Sequence, residues 1–289
     1  MDHHYIPQFY LRPWLGADHK LQEFRRGYGG WIQSGRYGTK VTGFEKNLYR
    51  VPGVTAATQH NVERIFMGMV DTRAADVRDM LLQGSVPNQP HLRHSWARFI
   101  CSLLLRHPDS IHTFKERYRR DFNASNPRLQ ARYEEIKKEG FPDTLEEFLT
   151  LRDPTMLERE AIITAAKMME SEGTMALLTG MRWAVYDTST VSRKLMTSDR
   201  PAVCTNGFGS LNGHLGLAIS PTKLFLAATF DVQMDFMLKT SAGKMVRLAN
   251  AAVIGQGRKY VYAVDDSSLA EVRRLMGKQD YFELVSKSK

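Results

Sequence analysis

At 289 residues and 43% apolar content, the chain has enough material to bury a substantial core, and its length suits one large domain or two modest ones. A charged fraction of 25% without low-complexity tracts excludes global disorder, and the lack of an apolar run of roughly 18 residues argues against a transmembrane helix. A net charge of +9 and a pI near 9.5 favour a polyanionic partner such as nucleic acid, although such charge also serves solubility.

Residues 1–55 are rich in glycine and aromatics. LQEFRRG and GWIQSGRYG alternate and are split by Gly27, Gly29 and Gly30, which predicts two or three short strands with loops. Residues 56–180 read as helical. Val62, Ile65, Phe66, Met69, Val70, Val77 and Leu81 follow the helical period, which Gly84 and Pro87 end. Trp96, Phe99, Ile100, Leu103 and Leu104 mark a second helix that stops near Pro108, and a third spans about 109–122. Tyr133 and Ile136 belong to a short charged helix, and Thr144 with Glu147 forms a capping box for another. DPTMLERE opens a long helix expected to run to about Leu178, with Pro154 near its first turn and Gly180 as its stop.

From 181 onward the period changes to two. RWAVYDTS, KLMTS, HLGLAIS and KLFLAAT read as strands, separated by SDRP, NGFGSLNG and SPTK turns. Residues 241–254 return to a helix, KYVYAVD is a strand, and a short helix starts near Ser267. The expected fold is therefore α+β: N-terminal short strands, a central helical bundle, then C-terminal antiparallel strands with late helices. No repeat or linker divides the chain, so residues 1–289 are expected to be a single domain with subregions 1–55, 56–180 and 181–289. Asp2 leads directly into His3 and His4, so no secretory signal is expected. Two cysteines, Cys101 and Cys204, suit a reducing cytoplasmic setting and exclude a cysteine-built zinc module.

The opening HHYIPQFYLR, spanning His3 to Arg12, resembles the start of a mainly bacterial uncharacterised family, the domain of unknown function 4238. Further matches in order are Glu63, Arg106-His107-Pro108, Thr197-Ser198-Asp199-Arg200-Pro201, Ser220-Pro221 and Asn250, with Asp71 standing where the resemblance would place a second glutamate. The resemblance implies one domain across nearly the whole chain and brings no established activity.

If the opening is extended, His3 and Tyr5 share one face while His4 and Ile6 take the other, and Pro7 ends any pairing. Gln8, Tyr10 and Arg12 add polar groups that are expensive to bury without partners. The plainer reading is that they anchor the terminus. On the first helix, counting about 100° per residue from His60 puts Glu63 and Asp71 on one stripe and Arg73 within the apolar face. Arg106 at a helix end either meets free carbonyls or clamps an anion. Asp199 is a short acid on a turn between strands.

No nucleophile elbow, P-loop, dinucleotide-binding glycine pattern or HExxH motif is present, and the glycine-rich NGFGSLNG reads as a connection. The leading expectation is a metal-assisted phosphodiesterase or nuclease acting on nucleic acid. In it His3, His4, Tyr5 and Asp199 do the chemistry, and Glu63, Asp71 and Asp199 ligate Mg or Mn. Gln8, Tyr10, Arg12, Arg106, Ser198 and Asn250 hold the substrate. Two alternatives stand beside it: a non-enzymatic nucleic-acid or protein binding module in which the same cluster is structural, and a metal-free nucleotide-directed transferase with Tyr5 or Tyr10 stacking on a base.

Overall fold

The computed structural model describes residues 1–125, 127–208, 210 and 212–281, with only the backbone described at 64–66 and 123–125. In chain order the short N-terminal elements are β1 (Asp2–His4), α1 (Gln8–Leu11), β2 (Leu21–Arg26), β3 (Ile32–Tyr37) and β4 (Phe44–Lys46). A π-helical segment, Val62–Met67, leads into α2 (Gly68–Leu82). The helical region continues with α3 (Pro90–Leu105), α4 (Pro108–Ser125), α5 (Pro127–Ile136), α6 (Leu145–Arg152), α7 (Met156–Met168) and α8 (Glu172–Gly180). Then come β5 (Arg182–Asp187), β6 (Thr197–Ser198), β7 (Val203–Thr205), β8 (His214–Ser220), β9 (Lys223–Ala228), α9 (Asp231–Lys239), α10 (Ala242–Gln256), β10 (Tyr260–Ala263) and α11 (Leu269–Leu275).

All strand pairing is antiparallel, in the orders β1-β4, β3-β2-β10-β6 and β5-β9-β8-β7. The mixed α+β expectation therefore holds, but the N-terminal and C-terminal strands interlock: β2 pairs with both β3 and the distant β10. The β2–β3 hairpin turns through Gly29 and Gly30 at φ of 75° and 81°, a region open to glycine at little cost. At the end of α2, the Ser85 N–H donates to the Met80 carbonyl across Gly84 at φ 80°, a Schellman closure.

The main core gathers residues from all three subregions. Trp14, Trp96, Phe99 and Phe225 are fully buried, with Trp96 packed on Phe99 and Phe225 at ring-centroid distances of 5.1 and 5.7 Å. A second cluster, including Phe24, Ile254 and Val261, fills the other face of the β2–β10 sheet against α10 and α11.

Several expectations need correction. The opening is a strand only to His4; Pro7 then starts α1, so Gln8 and Tyr10 are helical. The helix expected through Leu178 breaks at Ser171, whose φ of −56° and ψ of 114° leave the helical region, and begins at Met156 after Thr155, so Pro154 precedes it. Ser171 and Gly173 both disfavour a helix interior. Only Thr197 and Ser198 of KLMTS pair as a strand. Helix α9 is additional: exposed Val232 and Phe236 obscure its period. The wider π turn before α2 alters the rotation per residue, and Arg73 is exposed instead of buried in the apolar face. The burial expected at Ile65 and Phe66, and part of NGFGSLNG, lie outside the described residues. No helix among the described residues is long and apolar enough to cross a membrane.

Candidate functional site

β1 lies opposite β4, with His3 facing Glu45 and His4 facing Phe44 in the register. Alternation along the strand sends the two histidines to different surroundings. His3 is fully buried. Its Nδ1 accepts the Tyr49 backbone N–H at 2.8 Å, and its ring stacks on that of Tyr49. Its Nε2 lies 3.0 Å from His60 Nδ1. Because Nδ1 is an acceptor, the neutral ring carries its proton on Nε2 and donates to His60. Burial, then the neighbouring His60, holds His3 down at about 4.

His4 stays partly exposed. Its backbone N–H donates to Glu63 Oε1 at 3.2 Å, tying the strand to the first turn of the π-helical segment. Glu63 Oε2 and His4 Nε2 are both buried atoms without a hydrogen-bond partner among the described residues. Burial pushes the Glu63 carboxyl up to about 7; Arg106 and the His4 N–H oppose that rise, and Asp71 adds to it. His4 is lowered by burial, against opposing contributions from the Lys40 carbonyl, Asp2 and Asp71. The two groups thus have proton affinities displaced toward each other.

Behind them, Arg106 is fully buried and donates to Asp71 Oδ1 at 2.9 Å and to Ser102 Oγ. Tyr49 donates its hydroxyl to the Arg106 carbonyl at 2.6 Å. A buried guanidinium needs such a partner, since its charge persists at any ordinary pH.

The next residue, His107, faces a second cluster. Its Nδ1 accepts from the Asp109 backbone N–H and from Arg200 at 3.0 Å, while Nε2 is 3.6 Å from Asp199 Oδ2. Asp199 is 1% exposed and accepts three backbone N–H groups: Arg258 at 2.9 Å on Oδ1, Lys259 at 2.6 Å and Tyr260 at 3.1 Å on Oδ2. Burial raises its carboxyl, but His107 and those N–H groups outweigh it and hold Asp199 below the usual carboxylate range. The ring of Tyr5 meets His107 edge-on at 5.4 Å.

The expected residues therefore divide. His3, His4, Glu63, Asp71 and Arg106 come together; Asp199 and Ser198 stand in the other cluster, with Tyr5 alongside. The metal set expected from Glu63, Asp71 and Asp199 is not assembled, because Asp199 is taken up by backbone donors and Asp71 by Arg106. Among the described residues no group of three or more histidine, cysteine or acidic side chains is placed to hold a metal ion. Tyr5 and Tyr10 are buried at 2% and 0%, which removes either as a stacking platform for a base, and burial pushes both phenols up. Tyr10 donates to the Ala218 carbonyl at 2.6 Å and meets Thr197 Oγ1 at 2.8 Å.

Arg106 is enclosed rather than presented to a substrate. Ser198 closes a local turn with Arg200, and Asn250 clamps the Met196 N–H and Lys194 carbonyl, so both are framework. Gln8 opens α1, and exposed Arg12 caps its end. Sequence reasoning missed Tyr49 and His107 as partners; the tyrosine carries no motif, whereas His107 stood inside the Arg106–Pro108 match.

Comparison with curated proteins and with solved structures finds no match. A family model described as a protein of unknown function (DUF4238) matches residues 2–267, and the chain belongs to that family.

Proposed function

We propose that this member of the family is a metal-independent hydrolase that cleaves RNA, with His4 as general base and Glu63 as general acid. One observation carries the reading: His4 Nε2 and Glu63 Oε2 are buried atoms with no hydrogen-bond partner among the described residues, on residues tied by the His4 backbone N–H to Glu63 Oε1, with the imidazole depressed and the carboxyl raised to about 7. Near neutrality a neutral imidazole and a protonated carboxyl then coexist, which is what paired proton transfer requires. Both residues are half-buried, and a bound chain must reach the two atoms, which the free protein encloses.

RNA fits this pair because its ribose 2′-hydroxyl supplies the nucleophile. His4 Nε2 takes the 2′-hydroxyl proton as the oxygen attacks phosphorus. The bond to the 5′-oxygen breaks, and Glu63 gives that oxygen its proton. The products are a 2′,3′-cyclic phosphate and a 5′-hydroxyl. The net charge of +9 and the exposed Lys40, Lys46 and Arg50 around β1 and β4 favour a polyanionic substrate. A second reading, a nucleic-acid binding module without catalysis, draws support from how fully Asp199, Ser198 and Asn250 serve the framework.

The test is a cleavage assay on labelled RNA, single-stranded DNA and duplex DNA, with magnesium, manganese or EDTA. Cleavage of RNA alone, unaffected by EDTA, is expected. The pH profile should be a bell with its acid limb below 6.5, where His4 charges, and its alkaline limb at about 7, where Glu63 ionises. Folded Glu63→Gln and His4→Asn should each lose at least about 100-fold. RNA left intact, or cut equally by both variants, overturns the reading and moves the weight to binding.

A further inference from the structure

The sheet β5-β9-β8-β7 has two different faces. Leu215, Leu217 and Phe225 point into the main core and are fully buried. The alternate residues of β8 and β9 face α9 and α10 instead, and there the layers do not close. A cavity of about 360 Å³ remains between them. Its floor is small, with Gly216 and Ala218 on β8, and Ala249 and Ala252 of α10 line it as well. The pocket opens to solvent on one side, but its inner walls still forgo the contacts that larger side chains would make. Packing alone would favour larger side chains at these four positions.

The walls are mostly hydrocarbon, and among the described residues no acid, lysine or arginine lines them. Three of the four polar side chains gather at one end: Thr205 stands opposite His214 in the β7–β8 register, and Gln233 Nε2 lies 3.3 Å from His214 Nδ1; the fourth, Thr240, spends its hydroxyl on the Phe236 carbonyl. Phe236 and Leu248, 65% and 55% exposed, also line the cavity and give it an apolar lip toward solvent. An apolar site with a few convergent polar groups is the ordinary construction of a small-molecule pocket, and its volume falls in the usual range of about 300–1,000 Å³.

We propose that this cavity binds a neutral amphiphile: an aliphatic chain ending in one uncharged hydrogen-bonding head, of the fatty-alcohol class. The chain lies between Gly216 and α10, and the head meets Thr205, His214 and Gln233. Scaling from an apolar cavity of about 150 Å³ that holds one benzene, the space suits roughly ten to fourteen carbons. A carboxylate head is disfavoured because no fixed cation among the described residues lines the pocket to pair with it. This site is separate from His4 and Glu63, and does not depend on the activity proposed for them.

The test titrates the full chain with 1-decanol, decanoate and decylammonium by calorimetry, on wild type and on two cavity-filling variants. In Gly216→Leu, a Cβ would meet Leu226 and Leu224 side chains at 3.9 and 4.0 Å, ordinary contact, so the added side chain enters the cavity without backbone clash. Ala252→Leu fills it from α10 should Gly216→Leu fail to fold. Decanol is expected to bind at least tenfold tighter than either charged probe, with a negative heat-capacity change. Each folded variant should weaken decanol binding at least tenfold. No binding of decanol, or binding unchanged in a folded variant, overturns the site; equal or tighter binding of decanoate overturns the neutral head.

Discussion

Glu63→Gln separates a working acid from a structural one. In the folded chain the Glu63 carboxyl sits at about 7, against an ordinary value of 4.5. Below pH 4.5 both folded and unfolded chains hold the proton, so stability is unaffected. Between 4.5 and about 7 the unfolded chain releases a proton that the folded chain keeps, and stability falls as pH rises; above about 7 the loss is complete. At about 1.36 kcal/mol per pH unit, the gap amounts to about 3 kcal/mol, and to about 2 kcal/mol after screening by the solvent that reaches this partly exposed group. Glutamine stays neutral throughout and keeps an oxygen to accept the His4 N–H. The variant should therefore gain about 2 kcal/mol over wild type between pH 4.5 and pH 8, read from urea unfolding at each pH. It should also lose RNA cleavage: more stable and inactive, as expected where a strained group is kept for function. A stability difference that is the same at every pH would refute the burial argument for Glu63.

Asp71→Asn removes a charge that raises Glu63 and releases Arg106 to act on it, so the alkaline limb of the cleavage profile should move below about 7; an upward move would contradict the assigned couplings. His3, held at about 4, must take up a proton when the chain unfolds below 6.5, so stability should fall as pH drops from 6.5 toward 4. Urea titrations comparing wild type with His3→Asn should show a shallower fall in the variant. Asp199→Asn places an amide NH₂ where backbone donors converge and should cost about 3 kcal/mol or more by urea unfolding, largely independent of pH above 5. Thr144→Ala removes the acceptor for the Glu147 N–H and should cost about 1 kcal/mol by the same measurement, with a loss under about 0.3 kcal/mol counting against the capping box.

The helices α3 and α4 were legible because their apolar residues recur at helical spacing, and α6 because its cap is written in Thr144 and Glu147. β8 and β9 announced themselves by alternation. What could not be read depends on partners distant in the chain. Residues 21–26 join 260–263 through backbone pairing that leaves no mark on either segment. The break at Ser171 and the π turn at Val62–Met67 are local events that a uniform helical count passes over. The site divides in the same way. Polar crowding in the first twelve residues marked groups that are expensive to bury without partners; His3, Tyr5 and Tyr10 are buried, while Arg12 stays exposed. The role of Asp199 was illegible, since its partners are the N–H groups of residues 258–260, and a backbone donor has no sequence signature. Glu23, buried and hydrogen-bonded by Thr42, has no sequence signature of burial, because an acid in an alternating strand reads as its outer face.

Two pairs of consecutive residues connect the clusters. Arg106 turns toward Asp71 while His107 turns toward Asp199; the His4 N–H holds Glu63 while the Tyr5 ring lies against His107. The end of α3 and the end of β1 therefore cross both clusters side by side, and the position of Glu63 is set partly by a framework built around Asp199. In the Asp199 cluster the carboxylate is saturated by three backbone donors, the condition of nearly all buried polar groups. In the Glu63 cluster a carboxylate oxygen is left unmatched beside the His4 imidazole nitrogen; among the described residues the Asp199 cluster also has an unmatched imidazole nitrogen, on His107, but no unmatched carboxylate oxygen. Were the opening motif only an anchor, the acid at position 63 would be better as glutamine, which satisfies the same N–H without the burden of an ionisable group held near 7. That burden is the physical ground for proposing chemistry at His4 and Glu63 and architecture at Asp199.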